Sequence, residues 1–190
     1  MNTMQPDQPS GSIQKLVIFF FSGTGNPKRI ALWLYELARE NGVECHINNI
    51  DHYRFAAHNT IDKDAVIIFI SPIHGFNYPK ITLDFIRKFP AGTNRILLMN
   101  TRAGMKMGNW ITPGLTGIAF FLSSFWLRRK GYTILGQIPY DMPSNWISLH
   151  PALNEHTVNF IHQAMNAKVK LHFRMLLEGK KMFLSRKEII

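Results

Sequence analysis

The chain reads as an α/β protein built on a doubly wound parallel sheet. Three observations predict that class. First, short apolar runs recur at Lys15–Phe21, Ala65–Ile70, Arg95–Met99 and Tyr132–Ile138. They are too short for helices and carry the branched and aromatic residues of strands buried on both faces. Second, these runs alternate with segments of helical period through short connections, the βαβα pattern of a parallel sheet. Third, the strands are followed by glycine, proline and small polar residues, at the strand ends where open α/β sheets hold ligands.

The first element is the most informative. Lys15–Phe21 forms the opening strand, and Ser22-Gly23-Thr24-Gly25-Asn26 is a small, polar, flexible turn. Pro27 then opens a helix whose inward face is Ile30, Ala31, Leu34 and Leu37–Ala38. Proline suits a first helical position because its missing N–H has no helical acceptor there. Such a strand, turn and helix aim backbone N–H groups and the positive end of the helix dipole at one point, which suits a phosphate. Neither GxGxxG nor GxxxxGK[ST] is present, which argues against a dinucleotide fingerprint and a triphosphate loop.

Asn41-Gly42 ends that helix. Val43–Ile50 alternates imperfectly and predicts a second strand near a sheet edge. Asp51–Asp64 is polar and predicts a short helix or an irregular connection. His46, His52 and His58 fall six apart, which is no metal-binding helical spacing. The third strand, Ala65–Ile70, runs into Ser71–Pro79, where proline and glycine break the pattern. Lys80–Phe89 predicts a helix with Ile81, Phe85 and Phe89 inward. Pro90–Thr93 is a turn, and Arg95–Met99 is the fourth strand. Asn100–Gly108 reads as a loop, Asn109–Lys130 as one long apolar helix, and Tyr132–Ile138 as the fifth strand. Arg128-Arg129-Lys130 complements the dipole at that helix's end. Asp141–Trp146 reads as another loop at the carboxyl edge. Pro151 opens a last helix with Ile161, Met165, Val169, Phe173 and Leu176–Leu177 on its apolar face. The expected boundaries are a loose leader over 1–14, one domain over 15–179, and a basic tail over 180–190. That tail is a candidate partner or dimer contact, or a packed extension.

Composition narrows the function. One cysteine, Cys45, excludes a disulfide framework and an iron–sulfur or cysteine-rich zinc site held by this chain alone. A cytoplasmic setting is the simplest. The apolar stretch Ile111–Leu127 is interrupted by proline, glycines and serines, so burial against the sheet is preferred over membrane contact. The net charge is +10. Residues 1–100 hold ten cations against eight carboxylates, and residues 101–190 hold twelve against four. The basic second half suits acidic proteins, phosphorylated cofactors, anionic lipid or nucleic acid, or is a solvated basic surface. No nucleic-acid module with stacking aromatics is evident.

The Ser22–Pro27 turn resembles that of the flavodoxin-like family, whose first loop wraps the phosphate of FMN with a [ST]-x-T-G-x-T pattern. Ser22, Thr24 and Gly25 match it; Pro27 stands where the last threonine would be, removing a hydroxyl and an N–H. The Ser71–Pro79 segment is similar to the P-x-x-G-x-x-x-P layout of reductase members, and Met142-Pro143-Ser144-Asn145-Trp146 is similar to a segment in flavodoxin domains of ferredoxin-fused bacterial and archaeal flavoproteins. The cluster cysteines of that group are absent. The resemblance covers residues 15–180 and implies a five-stranded sheet of order 2-1-3-4-5. It further implies that Ser22, Gly23, Thr24, Gly25, Asn26 and Pro27 hold the FMN phosphate. Pro72, Ile73, His74, Gly75 and Phe76 on one side, and Thr101, Arg102, Ala103 and Gly104 on the other, would flank the ring. Phe76 or Tyr78 could lie against the ring, or both could pack the loop onto the core. His74 and Trp110 are either ring neighbours or core. The implied function is an FMN-dependent oxidoreductase or electron-transfer flavoprotein, its partner NAD(P)H or an acidic redox protein. The alternatives are a flavodoxin-fold binding protein that has lost FMN and a membrane-peripheral redox protein.

Overall fold

The computed structural model describes residues 13–55, 61–108, 110–144 and 153–183. The expected Pro151 helix start, Asn145, Trp146, His58 and the tail beyond residue 183 lie outside them, as does the leader up to residue 12. The elements run β1 (Lys15–Phe20), α1 (Asn26–Glu40), β2 (Glu44–Asn49), β3 (Val66–Pro72), α2 (Lys80–Lys88), β4 (Arg95–Met107), β5 (Trp110–Thr112), α3 (Ala119–Arg129), β6 (Thr133–Pro143) and α4 (Glu155–Leu177).

Five strands are parallel, in the order β2-β1-β3-β4-β6. With β6 as the fifth strand of the sequence reading, this is the 2-1-3-4-5 arrangement. β5 is a short antiparallel partner of the far end of β4. Because a strand's side chains alternate between faces, β1 serves two cores. Leu16, Ile18 and Phe20 meet α1 and α4; Val17 and Phe19 meet α2 and α3. The second core is aromatic: Phe19 lies 5.0 to 5.7 Å, centroid to centroid, from Tyr53, Phe69, Phe85 and Phe89.

Four local expectations change. Asn109–Lys130 is not one helix: Pro113, Gly114 and Gly117 (φ +60°) break it, and α3 starts only at Ala119. Asn100–Gly108 is not a loop but the continuation of β4, paired through Arg102↔Asp141 to Gly104↔Pro143. β6 therefore runs to Pro143 rather than stopping at Ile138, and absorbs the first half of the expected Asp141–Trp146 loop. On α2 the buried residues are Thr82, Phe85 and Ile86, whereas Ile81 is exposed. Ordered packing also runs beyond residues 15–179. Ile13 is buried, and Met182 sits on the edge of β6, its N–H donating to Leu135 O (2.9 Å) while Gln137 N–H donates to Met182 O (2.8 Å).

Helix ends show how distant partners replace local ones. Lys130 follows α3, yet its ammonium donates to the carbonyls of Ile86, Arg87 and Phe89 at 2.9, 2.5 and 2.6 Å. It caps the carboxyl end of α2, where unpaired carbonyls and the negative dipole end favour a cation. α4 begins on Asn154, whose side chain accepts from Thr157 N–H at 2.8 Å, an ordinary asparagine N-cap.

The α1–α4 contact includes Trp33 edge-on to His162, centroids 6.3 Å apart. Burial, and secondarily the Arg29 charge, hold His162 below the usual imidazole range. A depressed histidine contributes its stability above the unfolded pKa of about 6.5 and loses it as pH falls through that value, because the unfolded chain takes the proton first. The urea midpoint should therefore drop between about pH 7 and 5.5. A His162→Gln variant should show a shallower drop; an identical slope in both proteins would refute the assignment.

Candidate functional site

The carboxyl ends of β1, β3, β4 and β6 share one edge of the sheet, and the site is built there. The first part is the β1–α1 turn. Gly25 takes the left-handed conformation (φ 97°) that glycine adopts without steric cost. Its N–H donates to Ser22 Oγ at 3.1 Å, closing a small ring of chain. The first helical bond follows at once, Arg29 N–H to Gly25 O at 2.9 Å. No side chain caps α1, and no acid lies in its first turn. The amides of Asn26 and Lys28 have no helical acceptor, and Pro27 has no N–H to satisfy. Proline at this position is buried and continues the helix, so its departure from the family pattern costs the fold nothing. A Cβ placed on Gly23 or Gly25 would meet nothing within 4 Å. The corner is open, and two exposed cations, Lys28 and Arg29, stand at its helical side. That combination attracts an anion.

The turn is anchored to the far strand. Asn26 Nδ2 donates to Pro143 O at 3.0 Å, linking the start of α1 to the end of β6.

The second part is the segment after β3. His74 and Asn77 exchange backbone bonds of 2.8 and 3.2 Å around Gly75 and Phe76, both at positive φ (54° and 63°). This is the backbone of a two-residue hairpin turn. Phe76 is the only non-glycine at positive φ among the described residues, and the residue is 61% exposed. Its carbonyl accepts from Ile118 N–H at 3.0 Å, and Gly117 lies so close that an added Cβ would stand 1.9 Å from Phe76 O. A strained, exposed aromatic held by a distant glycine is the kind of feature that clusters at ligand sites. Tyr78 goes the other way. It is 2% exposed, and its hydroxyl donates to Met99 O at 2.9 Å, so it packs the loop onto the core. His74 and Trp110 are both exposed rather than core.

The third part is the far end of β4. Ile73 N–H donates to Thr101 O at 2.9 Å, which joins the second part to the third. Thr101, Arg102 and Gly104 are buried and Ala103 is exposed. Arg102 forms a two-pronged ion pair with Asp141: Nε to Oδ1 at 2.7 Å and Nη2 to Oδ2 at 3.2 Å. Asp141 Oδ1 also accepts from Gly114 N–H at 2.7 Å, and Arg102 Nη1 donates to Thr116 Oγ1 at 3.4 Å. The pair fastens β4, β6 and the 113–117 connector together. Arg102 is thus tied into the wall rather than standing as an exposed cation.

Sequence reasoning missed three contributors. Asp141 falls in the expected Asp141–Trp146 loop, and nothing local marks it as a partner for a residue 39 positions away. Gly117 carried a signal, since a glycine inside a helical apolar pattern, close behind Pro113 and Gly114, marks a break in it. Thr116 carried none.

Among the described residues, no group of three or more histidines, cysteines or carboxylates is placed to hold a metal ion. No family model matches the chain, and neither does any curated protein sequence. Solved structures do. Oxidised flavodoxin 1 from Bacillus cereus superposes with a TM-score of 0.51 at 17% identity, over 83% of this chain and 98% of that one. A Fusobacterium nucleatum flavodoxin variant bound to flavin mononucleotide superposes with a TM-score of 0.54 at 11% identity, over 87% of this chain and 98% of its own. At these identities the likeness establishes a shared fold, the flavodoxin fold, and nothing finer.

Proposed function

We propose that this chain binds FMN at the carboxyl edge of its sheet and serves as an electron-transfer flavoprotein or FMN-dependent oxidoreductase. The observation that carries the reading is the unobstructed corner at the amino end of α1, with its glycine cap, absent acid and two cations. In the flavodoxin fold this corner lies at the sheet's switch point, between β1 and β3, where the strand order reverses. A FMN-bearing neighbour of the same fold adds support.

The residues fit the group. Ser22, Gly23, Thr24, Gly25 and Asn26 would hold the phosphate through backbone N–H groups and hydroxyls, with Pro27 fixing the helix start behind them. Lys28 and Arg29 add long-range attraction. Pro72, Ile73, His74, Gly75 and Phe76 would line one side of the ring, and Thr101, Arg102, Ala103 and Gly104 the other. Bound flavin would supply the hydride and electron chemistry; the chain would place it and set its electrostatics. Phe76 offers an aromatic face for stacking. The Arg102–Asp141 pair keeps the wall rigid without adding net charge. The donor is NAD(P)H or a redox protein, and the +10 charge favours an acidic one.

The test is the visible spectrum. Purified protein mixed with FMN should retain a yellow chromophore through gel filtration, and bleaching by NADPH would mark a reductase rather than a carrier. Gly23 has ordinary φ and open surroundings, so Gly23→Asp should fold normally. Its carboxylate would face the phosphate and weaken FMN binding by about 30-fold, roughly 2 kcal/mol. A colourless wild-type preparation that takes up no FMN would instead support a binding protein that has lost its flavin.

A further inference from the structure

α3 carries an unusual outer face. Phe121 is 76% exposed and Phe125 49%. With Ile118 before them and Arg128 and Arg129 after, they fall at helical spacing along one side of the molecule. Phe76 adjoins the start of this stripe through its bond from Ile118 N–H. A shallow cavity of about 360 Å³ opens between the two phenylalanines and the two arginines. The surrounding sequence is one-sided in charge: from Thr101 to Tyr140 there are five cations and no Asp or Glu.

We propose that this face docks on an anionic lipid bilayer, with α3 lying in the interface. Exposed aromatic and aliphatic side chains flanked by arginines are what an interfacial helix presents, the rings entering the acyl boundary while the guanidinium groups meet lipid phosphates. No described helix is long and apolar enough to cross a membrane, so the contact is peripheral. A second copy of the chain is the poorer occupant. A two-fold contact sets the same patch against itself, so both Arg128–Arg129 pairs would enter one interface to which residues 101–140 of neither copy bring a carboxylate. The lipid contact stands whether or not the chain binds FMN.

Full-length protein is sedimented with phosphatidylcholine vesicles, with and without about one third phosphatidylglycerol, in about 0.1 M salt. Binding is expected to the anionic vesicles and to be at least about tenfold weaker to the neutral ones. Phe121→Ser with Phe125→Ser should lower partitioning by about tenfold or more. Arg128→Gln with Arg129→Gln should lower it by a similar factor. Arg39→Gln with Lys170→Gln removes two exposed charges from α1 and α4, on the opposite layer, and should change it little. All these positions are exposed, and far-UV circular dichroism checks that each variant folds. The proposal is overturned by absence of binding to anionic vesicles, or by equal losses in the α1/α4 control and the α3 arginine pair. It is also overturned if the phenylalanine variants bind as wild type, or if light scattering shows a dimer that those variants abolish.

Discussion

Asp141→Leu is expected to destabilise the fold by about 3–5 kcal/mol. The Arg102 side chain is 4% exposed and that of Asp141 11%. Removing the carboxylate leaves a guanidinium out of water with its principal partner gone, and also orphans the N–H of Gly114. Arg102→Met should cost a similar amount by leaving the carboxylate uncompensated. The double variant, Arg102→Met with Asp141→Leu, should recover at least half of either loss, because a buried ion pair is worth little against apolar residues of similar volume. Urea titration of all four proteins measures this. Single losses under about 1 kcal/mol, or a double loss equal to their sum, would show that the pair does not clamp the sheet end.

The second large effect is at Gly117. Gly117→Val places a Cβ 1.9 Å from Phe76 O, in a backbone region (φ +60°) that costs a branched residue dearly. Backbone cannot give way as a flexible side chain would. The turn at His74–Asn77 should lift from the 117–118 segment, at a cost of about 2–4 kcal/mol in the urea titration. Hydrogen exchange at the Ile118 amide, protected now by Phe76 O, should accelerate. If Phe76 lines the proposed flavin site, FMN affinity falls as well. Unchanged stability together with an unchanged Ile118 exchange rate would mean that the glycine is not what seats the turn.

These two predictions rest on contacts between residues 39 and 41 positions apart, and that separation marks the limit of what the linear chain discloses. The parallel α/β class, all five parallel strands and the amino end of α1 were legible, because each depends on neighbours: continuous or alternating apolar runs, a period of 3.6, a proline at the first helical turn and glycines just before it. The open corner at Ser22–Asn26 was legible for the same reason, since its shape is set by five consecutive residues. The continuation of β4 through Met107 was not. Polar, glycine-bearing residues there resemble a loop, and only ladder bonds from β6 and a buried countercharge make them a strand.

By itself, then, the order of residues determined the layers, the sheet and the glycine-bearing turn before α1, through steric and periodic rules that act over a few positions. Folding in three dimensions decided the rest. It sent Tyr78 into the core and left Phe76 in solvent, committed Arg102 to Asp141, and gave Lys130 the carbonyls of α2. Those outcomes depend on which distant groups must share a low-dielectric interior, where an unpaired charge or an unfilled volume costs more than any local preference gains.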